Sequence, residues 1–214
     1  MVRVNKNLHK ERINYDKYVL NIEDTADSPF LQFDEWYHEA EDHGGFEANA
    51  MVLSTADENG MPSSRVVLLK AYSNDGLVFY SNYASEKGRQ MATNNKVSLL
   101  FFYEAFQRQI RINGLVERIS EEKSEAYFKT RPKESQFGAM ISKQSEMITS
   151  KEELERRFEE LKKSNIDPVR PKSWGGYLVK PNYFEFWQGR PSRMHDRIFY
   201  RKEKETWVKG LLSP

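Results

Sequence analysis

From Ser28 onward the apolar positions take up a helical period. Phe30, Phe33, Tyr37 and Ala40 recur three or four residues apart, Ser28-Pro29 supplies a cap followed by proline at the first helical position, and Gly44-Gly45 ends the run. The 27 residues before this helix are polar, with scattered Tyr15, Tyr18 and Leu20, and read as an arm or lid. At residue 50 the period shortens. Residues 50–56, 64–72 and 77–82 read as strands joined by Asp57-Glu-Asn-Gly60 and Ser73-Asn-Asp-Gly76, the turn chemistry of an antiparallel meander. A short helix over 85–94 leads to a buried strand at 96–103. A strand at 108–119 then alternates through Ile110 and Ile112, with Gly114 marking a bulge. Helices follow at 120–129 and 150–163, the second with a capping box of Ser150 and Glu153 and with Leu154, Phe158 and Leu161 on one face. After the Asp167-Pro168 and Arg170-Pro171 breaks come strands at 174–179, 183–188 and 198–201, and a further candidate at 207–211. Seven or eight strands in hairpins, with helices inserted, predict a mainly β, α+β fold: a small closed antiparallel barrel with flanking helices, forming one domain over 28–214.

Composition narrows the function. Hydrophobic residues make up 38% of the chain, below the ordinary ~45–50%, while 13% aromatics argue against disorder. A small, aromatic-rich core fits a chain that buries further surface against another subunit. The net charge of +1 builds no broad positive field, so nucleic acid and anionic membranes are not expected partners and any phosphate recognition must be local. With no cysteine, disulfides, thiolate catalysis and cysteine–metal sites are excluded. No apolar leader or membrane-length segment occurs, which makes a cytoplasmic protein the expectation.

The familiar catalytic motifs are missing. His38 and His43 lie five apart, about 140° around a helix, where a zinc-binding pair needs four, so no metal site is expected. There is no Gly-x-Gly-x-x-Gly, Walker-type loop or Gly-x-Ser-x-Gly elbow. What stands out is Trp187-Gln-Gly-Arg-Pro-Ser-Arg-Met-His-Asp-Arg197, which gathers three arginines, a histidine and an acid just after an aromatic strand. Guanidinium both pairs with phosphate or carboxylate and stacks on π-faces, so such a cluster suits a flat anion. Arg65-Val-Val-Leu-Leu-Lys70 brackets an apolar strand with cations that the two-residue period puts on opposite faces, as a sheet serving two neighbouring sites would. Ser85-Glu-Lys-Gly-Arg89 opens a helix whose free N–H groups can meet phosphate. Tyr127, Arg131 and Ser135, four apart, form a further possible phosphate pocket.

Together with Val78-Phe-Tyr-Ser-Asn82, Ser98-Leu-Leu-Phe101, Arg131-Pro-Lys-Glu-Ser-Gln136, Ser142-Lys-Gln-Ser145 and Trp174-Gly-Gly176, these segments resemble the pyridoxine (pyridoxamine) 5'-phosphate oxidases from about residue 50 to the end, with a weaker match in the arm. The resemblance implies an antiparallel Greek-key split barrel, and a homodimer that holds FMN at the subunit interface. It assigns FMN binding to Arg65, Val66, Val67, Leu68, Leu69, Lys70, Tyr80 and Ser81, and to Lys87, Gln109, Gln144, Ser145, Trp187 and Arg197. It places the substrate phosphate on Lys70, Tyr127, Arg131 and Ser135. Arg193, Met194 and His195 meet the pyridine ring, with Arg193 and His195 as catalytic residues, and Arg12 and Tyr15 of the arm close over the substrate.

The implied reaction oxidises the 4'-carbon of pyridoxine or pyridoxamine 5'-phosphate to the aldehyde, in vitamin B6 salvage or biosynthesis. Oxygen is the final acceptor, hydrogen peroxide is released, and ammonia is also released from the amine. The cofactor carries the redox chemistry while the protein binds and orients. Four departures from the usual pattern stand out: Glu86 replaces a second basic residue beside Lys87, Leu211 an arginine near the C-terminus, Tyr18-Val19 a glycine pair, and Met194 a leucine. The alternatives are another split-barrel FMN oxidase or flavin reductase, or a non-catalytic FMN or pyridoxal-phosphate binder.

Overall fold

Alternation along the strands decides the architecture, because each strand sends every second side chain into a common interior. The computed structural model describes residue 9 and residues 13–214; Arg12 lies outside the described residues. Eight antiparallel strands, β1 (Ala50–Ala56), β2 (Pro62–Ser73), β3 (Gly76–Asn82), β4 (Lys96–Tyr103), β5 (Arg108–Arg118), β6 (Trp174–Gln188), β7 (Asp196–Glu203) and β8 (Thr206–Leu211), run in the order β3-β2-β1-β4-β5-β6-β7-β8. β6 also pairs with β3 from Trp174 against Asn82 to Val179 against Leu77, so six strands close into a barrel and β7 and β8 extend from it. The return of β4 to lie beside β1 is a Greek-key connection.

Leu53, Phe79, Leu99, Phe101, Ile110, Ile112, Phe184 and Phe186 fill the interior and are fully buried. α1 (Pro29–His43), capped by Ser28, packs Phe33 edge-on against Tyr72 and Phe101 and Trp36 against Phe186. α2 (Glu86–Thr93), α3 (Glu121–Thr130), α4 (Lys133–Ile141) and α5 (Lys151–Lys163) flank the barrel. No described helix is long and apolar enough to cross a membrane.

Three details differ from the sequence reading. The strands expected at 174–179 and 183–188 are one continuous strand, β6. Its register slips where Gly114 faces Pro181 and Asn113 faces Tyr183, so the extra residue is Asn182 on β6 rather than a residue of the Gly114 strand. A proline is tolerated at such an irregularity, and Gly114 is needed there because a Cβ would sit 2.4 Å from the Lys180 carbonyl oxygen. Finally, α4 has no counterpart in the periodicity, since only Gln136 and Phe137 of its nine residues are buried.

Candidate active site

A cleft of about 1240 Å³ opens between β2, β3, the start of α2 and the α3–α4 pair. Arg65, Val66, Val67, Leu68 and Lys70 line it from β2, Tyr80 and Ser81 from β3, and Lys87 from α2. Tyr127, Arg131, Ser135, Gln144 and Ser145 close the far side. Leu69 turns into the core. Lys70 is the extra residue of a bulge between β2 and β3, where Leu69 faces Phe79 and Ala71 faces Val78. Arg65 and Lys70 thus both line one cleft. Arg131 caps the end of α3 and Ser135 lies on α4, so the four-residue spacing runs across two helices and still converges.

The start of α2 is built tightly. Ser85 Oγ accepts from the Gly88 N–H at 3.3 Å and donates to the Asn82 carbonyl at 2.6 Å. Gly88 presses against the preceding turn, where a Cβ would lie 2.2 Å from the Tyr83 oxygen. Lys87 is thereby held almost fully buried, donating to Gln144 Oε1 at 3.0 Å and Ser85 Oγ at 3.3 Å. Ser81 Oγ donates to the same Gln144 oxygen at 3.4 Å.

Arg65 and Lys87, two cations of this cleft, hydrogen-bond to neutral partners. Arg65 donates to Thr55 Oγ1 at 2.5 Å and to the Ser63 and Leu53 carbonyls. Burial holds the Arg65 guanidinium below its ordinary pKa, against the opposing pull of Glu86. Lys87 is likewise held low, by burial and then by repulsion from Arg65, with Glu86 again opposing. Arg89 sends its guanidinium to the Ala84 carbonyl and does not line the cleft. Arg131 is the clearest case. Its guanidinium lies 4.5 Å from the Trp174 ring, its Nη1 is buried without a hydrogen-bond partner, and burial lowers its pKa. Tyr80 stacks on Tyr127 at 3.8 Å, with Trp174 parallel to both. Cations kept charged against desolvation, with an unsatisfied donor, fit phosphate groups, and the flat aromatic walls fit a ring system. The donor set therefore suits a phosphorylated flavin and a phosphorylated substrate.

The remaining expected residues gather elsewhere, on the outer face of β5–β7 and the loop after β6. Gln109 faces Trp187, which faces Arg197 across the sheet. Trp187 lies 4.6 Å from the His195 ring, and Tyr15 packs edge-on to Trp187 at 5.9 Å. The Arg190 N–H donates to His195 Nδ1 at 3.0 Å, so the neutral ring carries its hydrogen on Nε2. Burial, then the charge of Arg193, keeps His195 below its ordinary pKa. Ser192 and Arg193 both adopt left-handed φ, at 55° and 62°, a strained arrangement that lifts Arg193 and Met194 into solvent. Glu185, unremarked in the sequence, is a 3%-exposed carboxylate between Arg197, at 2.8 and 2.9 Å, and Arg111. A single acid inside the aromatic run Tyr183-Phe-Glu-Phe-Trp187 was the signal that could have found it.

Trp174 and Trp187 stand at the two ends of β6, thirteen residues apart. At ~3.3 Å per residue this is on the order of 40 Å of strand. The cleft and the Trp187–Arg197 wall are therefore separate surfaces of one chain.

Comparison with known proteins bears on both surfaces. The family described as "Pyridoxamine 5'-phosphate oxidase" matches residues 41–165, and "Pyridoxine 5'-phosphate oxidase C-terminal dimerisation region" matches residues 174–214. The pyridoxine/pyridoxamine 5'-phosphate oxidase of Leptospira biflexa is 47% identical over 205 residues, covering 95% of this chain and 97% of that protein. That of Rubrobacter xylanophilus is 50% identical over 195 residues, covering 90% of each. Among solved structures, PhzG from Burkholderia lata 383, in complex with tetrahydrophenazine-1-carboxylic acid, superposes with a TM-score of 0.87 at 26% identity, covering 92% of this chain and 98% of that one. An FMN-binding protein from Nostoc punctiforme shares the fold, with a TM-score of 0.73 at 15% identity over 89% of this chain and all of that one. Matches that span both surfaces and nearly the whole length leave one conclusion: this chain is an oxidoreductase of the pyridoxine/pyridoxamine 5'-phosphate oxidase family.

Proposed function

We propose that the protein oxidises pyridoxine 5'-phosphate or pyridoxamine 5'-phosphate to pyridoxal 5'-phosphate, using FMN and oxygen, at two equivalent sites of a homodimer. The observation that carries this reading is the division of the site residues into two surfaces on one chain, one rich in cations that, among the described residues, no carboxylate bridges, and one bearing the Arg193–His195 loop. A two-fold axis places the cleft of one copy against the wall of its partner. Arg65, Ser81, Lys87, Gln144 and Ser145 would hold the FMN phosphate side, and Gln109, Trp187 and Arg197 of the other copy its ring side. Lys70, Tyr127, Arg131 and Ser135 would take the substrate phosphate. When bound, FMN supplies the two-electron acceptor, and oxygen reoxidises it with release of hydrogen peroxide.

The chain's own part is orientation and charge. Arg193 orients the substrate and stabilises charge on its ring. In this tautomer His195 offers the substrate its Nε2–H as a hydrogen-bond donor, because Nδ1 accepts the Arg190 N–H, and it can take up a proton only when Nδ1 releases that contact. Tyr15, seated on Gly189, excludes water from the same side. The alcohol gives the aldehyde directly, whereas the amine gives an imine that water hydrolyses with loss of ammonia.

The purified protein is expected to carry a yellow flavin and to release peroxide when pyridoxine 5'-phosphate is added. A colourless protein that stays inactive with added FMN would overturn the reading. Arg193→Leu is expected to cut kcat by about a hundredfold or more, as for loss of a charged contact made at the transition state, with the flavin absorbance kept. Loss of the colour instead would refute the role given to Arg193.

A further inference from the structure

Gln107 lies between β4 and β5, 5% exposed, in the left-handed region at φ 54°. Its backbone carbonyl accepts from the Gly189 N–H at 2.8 Å and from Gln188 Nε2 at 3.3 Å, which ties it to the start of the 189–195 loop. Its side chain points the other way, to the arm. Oε1 accepts the N–H groups of Asp16 at 3.1 Å and Lys17 at 3.3 Å, and Nε2 donates to the Asn14 carbonyl at 3.4 Å. One side-chain amide thus serves the arm as a peptide group of a neighbouring strand would. Tyr15 lies between the bonded residues. Its ring rests on Gly189, where a Cβ would come within 2.6 Å of Cδ2, and against Trp187 and His195.

We infer that Gln107 is a positioning residue: its amide latches the arm so that Tyr15 is fixed against the Trp187–His195 wall, and the latch strength sets how readily the site closes. Neighbouring contacts fix the arm's path without setting Tyr15. Lys17 Nζ donates to the Ala105 carbonyl at 2.8 Å, the Tyr18 ring lies 5.9 Å from Phe106, and the Leu20 N–H donates to Asp196 Oδ2 at 2.9 Å. Among the described residues, only the Gln107 amide brackets Tyr15 from both sides in sequence, through Asn14 and Asp16. The consequence for substrate binding rests on the oxidase reading above; the latch itself does not.

Amide hydrogen exchange on the full-length protein tests it. In Gln107→Ala the amides of Asp16 and Lys17 are expected to exchange about tenfold faster, the effect of one or two lost hydrogen bonds. The Leu20 amide, held by Asp196, stays protected as an internal control. Gln107→Asn tolerates the left-handed backbone but is too short to reach the arm. It is expected to match the alanine variant, and it carries the test where that variant does not fold. Gln107→Glu keeps the acceptor for both N–H groups and loses only the bond to Asn14, so Asp16 and Lys17 keep most of their protection.

Under the oxidase reading, the alanine and asparagine variants raise KM for pyridoxine 5'-phosphate by about tenfold and change kcat less, since a docking contact is lost. Unchanged exchange at Asp16 and Lys17 in folded Gln107→Asn, with β5 and β6 amides still protected, overturns the latch. A wild-type protein without oxidase activity would count against the proposed reaction and leave the exchange result standing.

Discussion

Arg131→Met is expected to raise KM for the phosphorylated substrate by about a hundredfold, the order of effect when a buried charged hydrogen-bond partner is removed, while leaving the free protein as stable as before or more so. The two halves of this expectation have one cause. Among the described residues no carboxylate pairs with Arg131, its Nη1 is buried without a partner, and burial already lowers its pKa. A cation in that position is a net cost to the empty fold and becomes favourable when a phosphate satisfies it. Methionine keeps the contact with the Trp174 face and removes the charge. Thermal melting of the free protein and steady-state kinetics, run on the same preparation, check both halves. A variant that melts far lower would mean that Arg131 serves the fold, and an unchanged KM would move the phosphate elsewhere.

The second large effect is expected at Glu185. Its carboxylate, 3% exposed, binds Arg197 through two contacts, Arg111 through another and the Tyr183 hydroxyl at 3.1 Å. Removing it leaves two guanidiniums facing each other across β5, β6 and β7. Both cations are partly solvated, at 42% and 27% exposure, so the loss is smaller than for a fully buried pair. Glu185→Gln should therefore cost about 2–3 kcal/mol, from the ~3–5 kcal/mol of a broken buried pair discounted for that solvation. For a chain of this size that is a fall in Tm of about 5–10 °C. Because Arg197 is freed at the same time, flavin retention is expected to weaken along with stability. A melt within a degree of wild type would show that the network is no more than a surface arrangement.

Much of this molecule was legible as sequence because its strands keep a strict two-residue period around one interior. Phe79, Leu99, Phe101, Ile110 and Ile112 mark the inside unambiguously, and Ser28 and Ser150 mark helix starts that both accept the expected backbone N–H. In the sequence Pro181-Asn182 looks like a break that splits β6 in two, and only pairing on both sides shows that the ladder runs through it. α4 is silent in the sequence because a helix with two buried residues leaves no apolar stripe.

The site followed the same rule. Residue types with obvious chemistry, such as Arg65, Lys87, Arg131 and His195, could be picked out in the chain. Their separation onto two surfaces could not, since it depends on how far β6 carries Trp187 from Trp174. Gln107 carried no signal at all. An uncharged residue in a turn becomes informative only when its amide is seen to bracket the arm.

That separation is the central claim, and subunit complementation tests it most directly. Arg131→Met impairs the cleft and Arg193→Leu the wall, and each variant alone is expected to be nearly inactive at low substrate. If each site is built from the cleft of one copy and the wall of the other, a mixed dimer holds one doubly impaired site and one intact site. Random reassortment should then restore about a quarter of wild-type activity, because half the dimers are mixed and each has one good site of two. Mixed dimers no more active than the separate variants would mean that cleft and wall act within a single chain, and would contradict the composite site.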